Sequence, residues 1–160
     1  QKRTYLQRIA CSMDAVRNKA EKYCAQGEHC IDDVRIKLIQ WGATNDIIEP
    51  IINHLLAHNF INEQRYCNAF VHDKMRHQKW GKKKIIYALQ GKRIDANTIE
   101  NTIKNIDETE YIKTLSTIIN KKKGYSHEQI TRFCMQRGFE YSLINQQLQA
   151  LRLADENAID

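Results

Sequence analysis

The sequence predicts an all-α protein made of three tandem three-helix repeats. Only one proline and six glycines occur in 160 residues, so the chain is poor in the residues that separate short strands. Apolar residues recur at three- and four-residue spacing along most of its length, as on one face of a helix. The apolar pattern also repeats itself, which is typical of helical arrays whose single units cannot bury a face alone.

The repeat can be followed without gaps from three equivalent residues, Val34, Ile85 and Ile130, which are 51 and 45 residues apart. Fourteen positions beyond each of them lies an isoleucine. The equivalent residues at positions four, eight, fourteen and eighteen beyond the three starting points are Leu38, Leu89 and Cys134; Gly42, Arg93 and Gly138; Ile48, Ile99 and Ile144; and Ile52, Ile103 and Leu148.

The first repeat is predicted over residues 11–59, after an N-terminal extension of residues 1–10 that matches no part of the pattern. Ala20, Tyr23 and Cys24 form the apolar stripe of its first helix. Gly42 stands where the second helix should end in a left-handed residue, a structural role that suits glycine. Pro50 falls inside the stripe of the third helix, and because proline kinks a helix already under way, a late start for this helix is expected.

The second repeat is predicted over residues 60–106. Its first helix carries an apolar stripe, and Asn62 is suited to cap the start of that helix. Gly81 lies at the junction to the second helix and is expected to be structural. Arg93 occupies the place of Gly42, so the turn there should use either Gly91 or a different geometry. The stripe consists of Tyr66, Cys67, Phe70, Val71 and Met75.

The third repeat is predicted over residues 107–153. Ser126 and Gln129 form a capping-box pattern at the start of its second helix, and Gly138 is expected to end that helix. The apolar pattern stops after Leu151, so residues 154–160 are predicted to be a frayed tail. The stripe of its first helix consists of Tyr111, Ile112, Leu115, Ile118 and Ile119.

Composition indicates where in the cell the protein is expected. The five cysteines are odd in number and include no Cys-x-x-Cys pair, which indicates reduced, buried thiols and a cytoplasmic location. No apolar run approaches the ~20 residues of a membrane span, and the first residues do not read as a secretory signal. We therefore expect a protein of the cytoplasm without a membrane partner.

The positive charge is concentrated in the second repeat. Residues 1–60 hold 8 Lys and Arg against 7 Asp and Glu, residues 61–106 hold 10 against 4, and residues 107–160 hold 7 against 8. No acid occurs among residues 74–84. The basic residues there, with the tryptophan between them, are Lys74, Arg76, Lys79, Trp80, Lys82, Lys83 and Lys84.

A run of this kind is often only a solvated surface, but its placement favours a function. Trp80 and Gly81 interrupt it at a helix junction, which puts Lys82, Lys83 and Lys84 in the first turn of a helix, where cations oppose the helix dipole. An anionic partner, either phosphate or carboxylate, would offset that repulsion. Trp80 is expected in the core, with stacking on a base or a partner side chain as the alternative.

Residues 59–85 resemble the signature of the RecX regulatory proteins. The parts are Phe60-Ile61-Asn62, Arg65-Tyr66 followed by Ala69-Phe70-Val71, the basic stretch Lys74-Met75-Arg76, and the junction Lys79-Trp80-Gly81 through Lys84-Ile85. Residues 30–42 and 133–148 are similar to other segments of the family. Arg93 departs from it, since glycine is common there.

The resemblance implies an elongated, curved, monomeric stack of repeats that binds the RecA recombinase in the groove of its filament on single-stranded DNA. There it would modulate, and usually inhibit, the ATPase, strand-exchange and coprotease activities of RecA. The residues expected to contact RecA or DNA are Lys74, Arg76, Lys79, Trp80, Lys82, Lys83, Lys84 and Arg93.

Two alternatives remain at this level. The same basic run would suit a free-standing DNA-binding protein. His54 and His58, four apart on a helix, could share a metal in a small enzyme, but no glutamate of a metalloprotease motif accompanies them, and Cys24, His29 and Cys30 lack a second ligand pair for zinc. With no phosphate-binding glycine loop either, the sequence predicts a non-enzyme without metal, catalytic residues or cofactor.

Overall fold

The protein is all-helical, as the sequence predicts. A computed structural model describes the backbone of residues 5–157 and the side chains of residues 13–154, and within these residues it contains nine α-helices and no strand. The helices are α1 Tyr5–Cys24, α2 Ile31–Gln40, α3 Asn45–Ala57, α4 Glu63–Gln78, α5 Lys82–Gly91, α6 Ala96–Lys104, α7 Glu108–Lys121, α8 His127–Gln136 and α9 Tyr141–Asn157.

The helices follow one another in the three sets of three that the repeat pattern predicts. At the ends of the chain the helices are longer than the pattern suggests, since α1 begins at Tyr5 and α9 runs on to Asn157. Residues 1–4 of the predicted extension and residues 158–160 of the predicted tail lie outside the described residues.

Contacts divide the chain into two compact units rather than three. The first unit contains α1, α2 and α3, the start of α4 through Cys67, and the short segment Lys92–Ile94. The second contains Asn68–Gly91 and the chain from Asp95 onward, so most of the second repeat shares one unit with the third. Of the described helices, none is long and apolar enough to span a membrane.

The repeat positions form the cores of these units. Val34, Ile85 and Leu89 are completely buried, and the isoleucines fourteen positions beyond each start are at most 5% exposed. The position eighteen residues along is less regular. Ile52 is buried there, whereas Ile103 and Leu148 are half-buried.

Two glycines end helices in the left-handed conformation. The φ angles of Gly42 and Gly138 are +81° and +90°. At each turn two backbone N–H groups donate to the last helical carbonyls, as in Ala43 N to Leu38 O at 3.0 Å. The sequence left open whether the turn at Arg93 uses Gly91 or a different geometry. Arg93 itself adopts the left-handed conformation, with a φ of +58°, and Gly91 does not.

The predicted late start of α3 is wrong. Thr44 is the N-cap residue, the helix begins at Asn45, and Pro50 lies inside it. A proline inside a helix costs about 3 kcal/mol. Ile47, Ile48, Ile51, Ile52 and Leu55 are all buried on this helix, and each contributes about 1.5–3 kcal/mol, so the buried stripe outweighs the proline.

Side chains cap several helices. The Asn62 side chain accepts a hydrogen bond from the N–H of Arg65 at 2.9 Å, and the Ser126–Gln129 capping box is present in full. Asp95 and Asp107 cap α6 and α7 in the same manner, accepting from Thr98 N and Glu110 N. These two aspartates were not singled out from the sequence as caps.

Candidate binding surface

The basic segment spans the end of α4, a three-residue junction and the start of α5. Lys82, Lys83 and Lys84 form the first turn of α5, which contains no acidic residue, so they do lie where the helix dipole disfavours cations. Lys79 has a φ of +54°, and the N–H of Trp80 bonds back to the carbonyl of Lys74 at 3.1 Å. The backbone therefore turns sharply at Lys79 and Trp80.

The junction is fixed against the turn between α8 and α9, more than fifty residues later in the chain. Gly81 N donates to Arg137 O at 2.7 Å, and Lys83 N donates to Gly138 O at 3.0 Å. A Cβ atom on Gly81 would lie 2.3 Å from the carbonyl carbon of Gly138, so only glycine permits this approach. Backbone hydrogen bonds from Gly81 and Lys83 thus fix the α4–α5 junction to the α8–α9 turn.

Trp80 is half-buried and lies among cations rather than deep in the core. The Nζ of Lys84 is 4.6 Å from the centre of its ring and that of Lys74 is 5.3 Å away, while Phe70 packs edge-on with ring centres 6.4 Å apart. Trp80 therefore lies at the edge of the core, and its stacking on a base or a partner side chain stays a prediction.

A second aromatic ring that is contacted by cations, that of Phe133 on α8, lines the same cavity as Trp80. Phe133 is half-buried, with the Nζ of Lys122 4.0 Å and the guanidinium carbon of Arg137 5.0 Å from its ring centre. The Arg137 guanidinium also donates to the carbonyl of Gln78 at the end of α4. An open cavity of about 450 Å³ lies between the two rings, lined by Gln78, Trp80, Lys84, Phe133, Gln136 and Arg137.

The cations around these rings lack acidic neighbours. Among the described side chains, Lys84, Lys122 and Arg137 have no carboxylate within 4 Å, and Lys74 has only the adjacent Asp73 at 3.5 Å. Lys84 and Lys122 are held at the aromatic rings by cation–π attraction, about 0.5–1 kcal/mol each at a partly exposed site, and Arg137 also by its hydrogen bond to Gln78. They remain available to an anion.

Other basic residues of the predicted contact set do not line the cavity between Trp80 and Phe133. Arg76 and Lys79 line a different groove, of about 560 Å³, together with parts of α6 and α7. That groove also contains Lys113, Asp107 and Glu110, so its charge is mixed. Its remaining lining residues are Asn68, Val71, His72, Met75, Thr102, Asn105, Ile106, Thr114 and Thr117.

Lys82 is engaged internally, with its side chain 17% exposed. Its Nζ lies 2.6 Å from Glu108 and 4.4 Å from the centre of the Tyr111 ring, and its backbone N–H donates to the Tyr111 hydroxyl. That hydroxyl in turn donates to Glu140, and burial together with Glu140 raises the pKa of Tyr111. Lys82 thus belongs to a network that ties α5 to α7.

Two other predicted contact residues stand apart. Lys83 is exposed, and its side chain forms no hydrogen bond or ion pair with the described residues. Arg93 belongs to the first compact unit, where its side chain is 82% exposed and its Nε is 3.9 Å from Asp32. Next to it, Lys92 forms a closer pair with Asp33, at 2.7 Å.

Three residues of this surface were missed from the sequence: Lys122, Phe133 and Arg137. The count over residues 107–160, which includes three acidic residues of the C-terminal tail, gives a net charge of −1, and this hid them. One signal was present, because Phe133 and Arg137 are four apart and must share a helix face. The folding that brings them to Trp80 has no local signature.

The residues set aside as metal ligands have other roles. His54 Nε2 lies 2.7 Å from Glu21, and the ring of His58 packs on that of His54 with centres 4.1 Å apart. His29 stacks on Tyr23. Cys24 and Cys30 are buried, and burial raises the pKa of each thiol to about 11, so both stay protonated at neutral pH. Within the described residues no three potential ligands come together.

Comparisons with known proteins agree with one another. A sequence model of the second three-helix domain of RecX matches residues 62–103, which include the junction. The regulatory protein RecX of Clostridium perfringens strain 13 is 26% identical over 147 residues, covering 86% of this chain and 66% of that protein. The regulatory protein RecX of Clostridium botulinum strain Eklund 17B is 32% identical over 122 residues, covering 69% of this chain and 56% of that one.

A solved structure shows the same fold. The crystal structure of RecX from Lactobacillus salivarius superposes with a TM-score of 0.79 at 25% identity, covering 90% of this chain and 99% of that chain. The chain spans about two thirds or less of the length of the two clostridial proteins, but nearly all of the lactobacillar structure.

Proposed function

The chain belongs to the RecX family of regulatory proteins, and we propose that it is a non-catalytic regulator of the RecA recombinase. It binds RecA and the RecA filament on single-stranded DNA, and it inhibits ATP hydrolysis, strand exchange and the coprotease activity. Through these effects it acts in DNA repair, recombination and the SOS response of the cytoplasm. It works as a monomer and without a cofactor.

The observation that carries the proposal is the agreement between the family match and the charge. The matched residues 62–103 contain the whole basic junction, in the part of the chain that holds 10 Lys and Arg against 4 Asp and Glu. A RecA filament offers DNA phosphates and protein carboxylates, and cations recognise both. The proposal therefore assigns partner binding to this surface.

The experiment is a titration of ATP hydrolysis by RecA filaments of the same organism, assembled on single-stranded DNA. The chain is expected to lower the rate at less than one molecule per RecA protomer. A matched pair of variants checks the surface. Lys83→Gln removes an exposed charge from the junction, and Lys123→Gln removes one from the exposed α7–α8 turn.

The Lys83 variant should need a higher concentration than wild type for half-inhibition, whereas the Lys123 variant should behave as wild type. No change in hydrolysis at any ratio would refute the proposal. Equal behaviour of the two variants would refute the assignment to the junction. Lys82 is unsuitable for this test, because its ion pair with Glu108 is part of the packing.

A free-standing DNA-binding protein remains the second candidate, and the two cation–aromatic clusters favour it. Binding to bare single-stranded DNA at physiological salt, as tight as binding to filaments, would support this alternative. Affinity should then fall with salt at about −0.7 in log–log slope for each phosphate contact.

A further inference from the structure

We propose that the cavity between Trp80 and Phe133 is a binding site for single-stranded nucleic acid, in which bases stack on the two rings and Lys84, Lys122 and Arg137 hold the flanking phosphates. The inference deepens the proposed function, on which its biological setting rests, by naming the residues that touch DNA. Half of the site comes from the third repeat, outside the residues that match the second RecX domain.

The first support is geometric. The cavity of about 450 Å³ has an aromatic ring on each of two elements, α4–α5 and α8, and no acidic residue in its lining. The two sides are held together by Gly81 N to Arg137 O at 2.7 Å and Lys83 N to Gly138 O at 3.0 Å. A site fixed by backbone hydrogen bonds needs little reorganisation before it binds.

The second support is the position of the cations directly at the two rings. Each ring carries an ammonium group 4.0–4.6 Å from its centre, from Lys84 on Trp80 and from Lys122 on Phe133. These long side chains can swing aside, so that a base replaces the ammonium group on the ring and the ammonium group moves to the adjacent phosphate. Stacking of a base on an aromatic ring outweighs the cation–π contact that it replaces.

The pattern favours nucleic acid over an acidic protein segment. Carboxylates would be satisfied by the cations alone and would gain nothing from two partly exposed rings. Duplex DNA keeps its bases stacked inside and cannot offer them to the rings. Alternating cations and rings along a concave surface are the usual means of binding a single strand without regard to sequence.

The experiment uses the fluorescence of Trp80. The chain contains two tryptophans, so the full-length variant Trp41→Phe leaves Trp80 as the sole reporter. Titration at low salt with a 15-residue oligothymidylate is expected to quench this fluorescence. Three phosphate contacts predict a log–log salt slope of about −2.

Matched variants separate the site from the rest of the surface. In the same background, Phe133→Leu should weaken binding about 5- to 150-fold, the range for loss of one stacked base. Lys122→Gln should weaken it and make the salt slope shallower. The controls are Tyr87→Leu, which alters an aromatic residue 79% exposed on α5, and Lys123→Gln, next to Lys122. Both should bind as the background does, and circular dichroism checks the folding of each variant.

Three results would overturn the inference. The first is an absence of quenching, and the second is an equal loss of affinity in Lys122→Gln and Lys123→Gln. The third is equal binding of oligothymidylate, inorganic polyphosphate and polyglutamate, because this result would mean that the site recognises only negative charge. The test needs no RecA. Quenching without any effect on RecA ATP hydrolysis would retain this site and reject the proposed function, whereas inhibition of RecA without quenching would do the reverse.

Discussion

At the scale of single residues, two glycines determine where the binding surface is assembled. Gly81 and Gly138 bring the α4–α5 junction and the α8–α9 turn into backbone contact, and cations lie on both sides, with Lys84 following Gly81 and Arg137 preceding Gly138. Lys84 is itself part of this contact, because a Cβ on Gly138 would lie 2.5 Å from the Cβ of Lys84. The position of Lys84 at the cavity is thus tied to the absence of side chains on both glycines.

This contact predicts a large effect for Gly81→Ala. The added Cβ would meet backbone atoms of Gly138 and Phe139 at 2.3–2.4 Å, which cannot be relieved by rotating a side chain. We expect the free energy of unfolding to fall by about 3 kcal/mol, at the upper end for overpacking. Urea denaturation followed by Trp80 fluorescence in the Trp41→Phe background measures it.

Gly91→Ala provides the matched control for this prediction. Gly91 lies in the last turn of α5 with nothing within 4 Å of an added Cβ, so alanine should stabilise the helix by up to about 1 kcal/mol. A loss of similar size in the two variants would contradict the close approach at Gly81.

The residues also show what the sequence could and could not predict. The ends of α2 and α8 were predictable, because a glycine at positions 42 and 138 indicates a left-handed turn. The left-handed Arg93 was not, since a side chain there carries a strain of about 1–2 kcal/mol that only the surrounding fold can impose. The same limit applies to Lys122, Phe133 and Arg137, whose approach to Trp80 depends on tertiary structure.

At the scale of elements, α3 shows how a buried stripe overrides a local signal. The helix starts at Asn45 in spite of Pro50, whose ring and missing N–H weaken its first turns. Four isoleucines and Leu55 are buried on one face, and they set the length of the helix. Sequence rules gave the helix and its face correctly, but weighed the proline too heavily.

Replacing Pro50 with alanine should therefore stabilise the first unit. The helix regains one backbone hydrogen bond and loses a steric conflict worth about 3 kcal/mol, while the unfolded chain gains back about 0.4–1 kcal/mol of freedom. We expect the free energy of unfolding to rise by about 2 kcal/mol, read from the fluorescence of Trp41 in a Trp80→Phe background. Trp41 lies at the end of α2 in the same unit.

Asn53→Ala on the exposed face of α3 serves as its control, with an expected gain of at most about 0.7 kcal/mol from helix propensity. If Pro50→Ala gains no more than Asn53→Ala, the proline does not strain this helix.

At the scale of the whole molecule, the sequence predicted the all-α class and the order of the nine described helices from composition, periodicity and the repeat. It did not predict that the contacts form two compact units, with the border inside α4 between Cys67 and Asn68. Periodicity reports which face of each helix is buried but not which neighbour covers it. For the same reason, a charge count by segment found the half of the surface at the α4–α5 junction and missed the half formed by Lys122, Phe133 and Arg137.

The proposed nucleic-acid site lies within the second unit and is small. The proposed nucleic-acid site offers two rings and three cations, so its affinity for bare DNA should be weak at physiological salt, where counterion release contributes less. A filament offers protein surface in addition to DNA. If the proposed function holds, tight binding requires the filament as a whole.

Regulation of RecA filaments by this chain is tested by comparing its binding to RecA filaments with its binding to the same single-stranded DNA without RecA, at about 0.15 M salt. A fluorophore attached to the DNA reports the second, and co-sedimentation reports the first. We expect filaments to retain the chain at concentrations at which bare DNA does not, and ATP hydrolysis to fall over the same range. Equal retention by both, or binding to filaments with no change in hydrolysis, would contradict this expectation.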